Sequence, residues 1–248
     1  MFAVGPSKNF ACKLALCVLV KEIRHLFCTS TSSKEELLYC VHFEVSGPMA
    51  MFARPDSGST PISYPVPTWS ALKGMFEAVA RIHDSHGHPR AYIDPTRVEI
   101  CRPIKFERYV TNYGGPLRKA NQIGKDNNLQ LIATVLVDVC YRVFGEARQL
   151  GESDDRINWA HALQDRFMRR LRHGRSFHTP CLGWREFAPD YFGPLREGTR
   201  RDHSVNLVLP AILRAVFDKP IDGKWMPAYD QDASVREGIL DFQRSAEC

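Results

Sequence analysis

The stretch YPVPTWSALKGMFEAVARI, residues 64–82, decides how the chain is read. Leu72, Met75, Phe76, Val79 and Ile82 recur at helical spacing behind Thr68, a residue type that caps first turns, so a helix with one buried face is expected over residues 68–82. Just upstream, residues 38–46 (LYCVHFEVS) alternate like a strand, and Gly47 and Pro48 interrupt them before the apolar run Met49 to Phe52. That pattern predicts a bent or broken edge-type strand. Downstream, residues 97–109 again read as a strand, and a polar, glycine-containing stretch over 111–128 separates them from the apolar run 129–144. Trp159, Leu163, Phe167 and Leu171 form one stripe of a second helix over about 158–173, with Gly174 as its stop.

Strand, helix, strand, strand, helix is the order of a split β-α-β unit. The fold class expected is therefore α+β: a ferredoxin-like, RNA-recognition-motif-like module over residues 38–175. Residues 176–248 carry short apolar runs punctuated by Pro and Gly, which predicts a mostly β C-terminal extension. Residues 1–37 stand apart as an extension of unknown role. Their apolar run, 11–20, is broken by Lys13 and falls well short of the roughly 20 residues that span a bilayer, so neither secretion nor membrane insertion is expected.

Across 248 residues, 44% are hydrophobic, enough for a substantial core, while the net charge of +5 favours an anionic partner only weakly. The eight cysteines form no C-x-x-C pair, which predicts reduced thiols in a cytoplasmic protein. No P-loop, dinucleotide glycine motif, G-x-S-x-G elbow or zincin motif occurs, so no cofactor is expected. The segment HDSHGH at 83–88 clusters three histidines, but zinc needs a third or fourth ligand in a rigid frame, and no metal site is expected there.

Charge is instead concentrated locally. Arg166, Arg169, Arg170, Arg172 and Arg175 fall within ten residues, with Arg166, Arg169, Arg170 and His173 on one helical face; such a row of planar forks suits phosphates, or is simply a solvated face. Arg102, Lys105, Arg108, Arg118, Lys119 and Lys125 interleave with Tyr109 and Tyr113 around Gly114 and Gly115. That is a pattern for gripping single-stranded nucleic acid, or a plain surface loop.

Three ordered pieces of the sequence resemble one family. Tyr64, Val66, Pro67, Thr68, Ser70, Ala71 and Gly74 match a Tyr-x-Val-Pro-Thr-x-Ser-Ala-x-x-Gly segment of the CRISPR-associated Cas five (Cas5) proteins. Residues 137–143 (VDVCYRV) resemble the family's central strand, and residues 167–187 (FMRRLRHGRSFHTPCLGWREF) its second-helix and P-x-L-G-x-R-E-F region. The subtype it most resembles is I-C. The resemblance implies CRISPR antiviral defence, as the subunit of a type I Cascade surveillance complex that holds the 5′ handle of the guide RNA (crRNA), beside Cas seven-type backbone subunits and a Cas eight-type large subunit. On that basis Lys73, Arg108, Arg118, Lys119, Arg166, Arg169, Arg170 and Arg175 are expected at phosphates, and Tyr64 or Trp69 on bases.

In subtype I-C the family member also cuts precursor guide RNA without metal, which requires a base, a cation and an acid. The resemblance puts Ala80, Ala162 and Leu163 at those positions, none of which moves a proton; His161, His83 and Tyr64 are the substitutes within reach. Two alternatives to the handle-binding subunit therefore stand: a metal-independent endoribonuclease, and a protein-interaction module whose basic surface is incidental.

Overall fold

The structure, a computed structural model, describes residues 39–113, 129–151, 157–216, 220–221 and 224–242. The described residues belong to one compact unit, and the extension 1–37 lies outside them.

The architecture is α+β. Among the described residues, one antiparallel sheet of nine strands carries two helices. Strand β1 (Cys40–Ala50) is followed by α1 (Trp69–Val79), β2 (Ile82–His83), β3 (Pro89–Ile100), β4 (Phe106–Tyr113), β5 (Leu129–Gln149), α2 (Trp159–Arg172) and β6 (Tyr191–Gly193). Then come β7 (Leu207–Ala215), β8 (Pro220–Ile221), β9 (Lys224–Trp225), β10 (Ala228–Arg236) and β11 (Ile239–Asp241). The main path runs β6-β1-β5-β3-β11-β10-β7, with β2 on β3 and β4 on β5, while β8 and β9 pair with each other. After residue 176, β6, β7, β10 and β11 thus extend the same sheet, β6 by pairing with β1 and the others through the pairing of β11 with β3.

Three sequence expectations are corrected. First, β1 is not a broken edge strand: it runs through Gly47 and Pro48 and lies between β6 and β5. Pro48, which has no N–H to donate, falls where the pairing skips from Gly47↔Val139 to Met49↔Val137, beside Asp138 in the left-handed region. Second, α1 stops at Val79, and Ile82 belongs to β2, still buried. Third, the strand expected over 97–109 is two strands, interrupted around Pro103.

Both helices begin and end by identifiable chemistry. The Thr68 hydroxyl accepts from the Ala71 N–H at 3.3 Å, and the Asn158 side chain accepts from the His161 N–H at 2.9 Å. At the far end of α2, Gly174 adopts φ 60°; its N–H donates to Leu171 and the Arg175 N–H donates to Arg170, which closes a Schellman motif. The buried faces of α1 and α2 meet over β1, where Phe76 packs edge-on against Phe43 at 4.9 Å and at a tilt against Phe167 at 5.3 Å. Such ring pairs add about 0.5–1.5 kcal/mol each beyond the area they bury.

A buried carboxylate ties the sheet to the loop after β6. Glu44, on β1, is 0% exposed. It accepts from the Thr199 hydroxyl and Arg196 Nε, both at 2.6 Å, and from the Arg196 N–H at 3.0 Å, with Arg142 Nε at 3.4 Å. Burial pushes this carboxyl's pKa up, but those donors outweigh burial and hold it below the usual carboxylate range.

Candidate nucleic-acid interface

The helix ends build the basic face. The last turn of α1 leaves carbonyls without helical partners, and residues of α2 and of the segment after it supply the donors. Arg170 Nη1 donates to the Val79 carbonyl and Arg166 Nη1 to the Arg81 carbonyl, both at 2.8 Å. The backbone N–H groups of Phe177 and His178 both donate to the Ala78 carbonyl, at 2.7 and 3.0 Å. Two arginines expected to be free for phosphate therefore also fasten α1 to α2. A guanidinium has five N–H donors, so each keeps others in hand.

Arg169, Arg172, His173 and Arg175 are exposed. From residue 166 to residue 185 the chain holds six arginines and two histidines and no carboxylate. The field along this face is therefore positive and nowhere cancelled from within the segment. Arg108 is also exposed, on β4, whereas Arg102 of the same basic set is bound to the Asp138 carboxylate. Arg118 and Lys119 lie outside the described residues.

Neither ring expected to stack on bases is available for it. Tyr64 is 5% exposed, and its hydroxyl accepts from the Leu213 N–H at 3.2 Å. Trp69 is 2% exposed: its Nε1–H donates to the buried Asp94 at 2.9 Å, and Lys73 and Arg214 place their cations over the ring at 5.0 and 4.8 Å. Both residues are core, because the motif that opens α1 wraps the sheet. Tyr64 is equally corrected as a proton-transfer group, since the residue is buried and its hydroxyl is engaged by the Leu213 N–H. Lys73 lies between the rings of Trp69 and Tyr92.

The two histidines differ. His83 sits exposed on β2, ahead of a turn in which the Asp84 carboxylate accepts from the His86 and His88 N–H groups at 2.9 Å. His161, exposed on the first turn of α2, has Nδ1 3.7 Å from the Asp165 carboxylate and its ring edge-on to Tyr39 at 5.7 Å. The Tyr39 hydroxyl accepts from the Asn158 side chain at 2.5 Å, so an imidazole, a carboxylate and a phenol converge at one end of α2. Ala80 and Leu163, the positions that the resemblance equates with proton-transfer groups, are buried in the core, and Ala162 is half-buried.

Sequence reasoning missed Tyr39 and, above all, Phe177. The signal for Phe177 was an apolar residue beyond Gly174, outside any periodic stripe, with Arg175 two positions before it and His178 next to it.

A family model, Cas_Cas5d, described as "CRISPR-associated protein (Cas_Cas5)", matches residues 40–238. A "CRISPR pre-crRNA endoribonuclease Cas5d" of Thermus thermophilus is 32% identical over 215 residues, covering 80% of this chain and 89% of that protein. A protein of the same name from Mannheimia succiniciproducens is 28% identical over 227 residues, covering 81% and 93%. Two solved structures share the fold: a "CRISPR-associated Protein", at TM-score 0.59 and 20% identity, and the functionally uncharacterized SMU1763c from Streptococcus mutans, at TM-score 0.59 and 19% identity. Each covers 84% of this chain and is itself 94% covered. With a family model spanning nearly all of the described strands and both helices, this chain belongs to the CRISPR-associated Cas5 family.

Proposed function

We propose that this chain binds the 5′ handle of a CRISPR guide RNA as a subunit of a type I surveillance complex of the Cascade kind. The observation that carries the reading is the segment 166–185 at the C-terminal end of α2, which holds six arginines and no carboxylate, in a chain of the Cas5 family. Arg169 and Arg175 take phosphates, with Arg166 and Arg170 contributing the donors not spent on backbone carbonyls; Arg108, Arg118 and Lys119 are the further phosphate contacts of this reading. The ferredoxin-like, RNA-recognition-motif-like description fits β1, β5 and β3 with both helices, which pack against this sheet and against each other. Cas seven-type and Cas eight-type subunits are its neighbours in this reading, in the cytoplasm. Among the described residues no helix is long and apolar enough to cross a membrane.

Metal-independent cutting of precursor guide RNA is the second reading, favoured by the relatives' names and by the group around His161. There the Nδ1 side of the imidazole faces the Asp165 carboxylate 3.7 Å away, and Nε2 is the atom that exchanges a proton with the 2′-hydroxyl or the leaving oxygen. Incubating the purified chain with labelled precursor RNA in EDTA, beside His161→Ala, separates the two. Tight binding without a cut supports the handle-binding subunit. A discrete cut that the variant loses supports the nuclease. Binding that vanishes at moderate salt without sequence preference overturns both, leaving a protein-interaction module.

A further inference from the structure

Phe177 is the most conspicuous apolar side chain on the basic face. It is 58% exposed, three residues after the stop of α2, where burial would be expected of a phenylalanine that served only packing. Its position is nevertheless well defined: its own N–H and that of His178 are both spent on the Ala78 carbonyl. The Arg81 guanidinium lies 6.0 Å from the ring centroid, and the His178 ring stands edge-on at 4.7 Å. Arg81 is in turn held by Glu77 at 3.4 Å, one helical turn back. The result is a flat aromatic surface kept open to solvent, with a cation over the ring and Arg175 and His173 exposed nearby in sequence.

Resting on the guide-RNA reading, we propose that Phe177 is the platform on which one unpaired base of that RNA stacks, with Arg81 and Arg175 serving the phosphates on either side of it. A base presents a π-face that matches a phenyl ring whatever its identity, and the cations that surround the ring match the phosphates that accompany every base. An apolar protein partner would exploit the ring alone and would be repelled by nothing, yet it would gain little from a face so rich in arginine. This site replaces Tyr64 and Trp69 in the stacking role, because its ring lies beside the exposed arginines and remains open.

The test uses the full chain and precursor guide RNA carrying 2-aminopurine at each unpaired position in turn. Wild type should quench the fluorescence of one position strongly. Phe177→Ala should lose that quenching and bind roughly fivefold to 150-fold more weakly, the range for removing one stacking partner. Phe177→Trp should restore both, while Arg169→Ala should weaken binding and leave the quenched position unchanged. Salt-sensitive binding with affinity and quenching unaltered in Phe177→Ala would overturn the platform and keep the guide-RNA reading, making Phe177 a protein contact. Absence of RNA binding by wild type would overturn both.

Discussion

Replacing Glu44 with Gln removes one charge from the join between β1, β5 and the loop after β6 while conserving volume. The carboxylate is 0% exposed and is met by a hydroxyl, a backbone N–H and two guanidinium groups. An amide keeps one acceptor oxygen but turns an NH2 group toward donors, so at least one of these contacts becomes donor against donor. Breaking a buried, hydrogen-bonded ion pair costs about 3–5 kcal/mol, and the half-exposed Arg196 argues for the lower end, about 3 kcal/mol. For a chain of this size that corresponds to a melting temperature lower by about 6–12 °C. The cost should also depend on pH. Because the folded-state pKa of Glu44 is held below its unfolded value of about 4.3, its contribution is fully present above that value and is lost as pH falls through the folded pKa. Urea denaturation of both proteins from pH 7 downward should therefore show a gap of about 3 kcal/mol at neutrality that closes in acid. Equal stability at pH 7, or a gap that stays constant into acid, would refute the reasoning.

Gly183 sits at φ 90°, and a Cβ there would lie 1.8 Å from the Met51 carbonyl oxygen, so Gly183→Ala should cost about 3 kcal/mol or more. Gly174→Ala meets nothing within 4 Å and should cost only the left-handed penalty of about 1–2 kcal/mol; thermal melts that rank the two the other way would contradict the packing. In RNA titrations, Arg169→Ala and Arg175→Ala should each flatten the slope of log K against log salt by about 0.7, as for loss of one single-strand phosphate contact. Tyr64→Phe should leave RNA affinity unchanged, and a loss as large as that of Arg169→Ala would return Tyr64 to the interface.

Much of this protein was legible in its sequence because the relevant physics is local. The stripe Leu163, Phe167, Leu171 and the stop at Gly174 define α2 to within a residue, since helix periodicity and the left-handed C′ position involve only near neighbours. The arginine row after residue 165 was equally plain. Three ordered motifs pointed to the Cas5 family, with which the family model agrees.

What tertiary structure alone decided is which side of each motif faces outward. Tyr64 and Trp69 look like binding residues in a stretch rich in Pro and Ser, yet they are buried against Leu213 and Asp94, from segments 149 and 25 residues away. Arg166 and Arg170 look free but cap carbonyls 85 and 91 residues back. β1 looks like an edge and is flanked on both sides, because β6 arrives from some 150 residues downstream. Local sequence governs the period and the ends of an element, whereas exposure depends on which distant segment covers it, and that is settled only when the sheet closes.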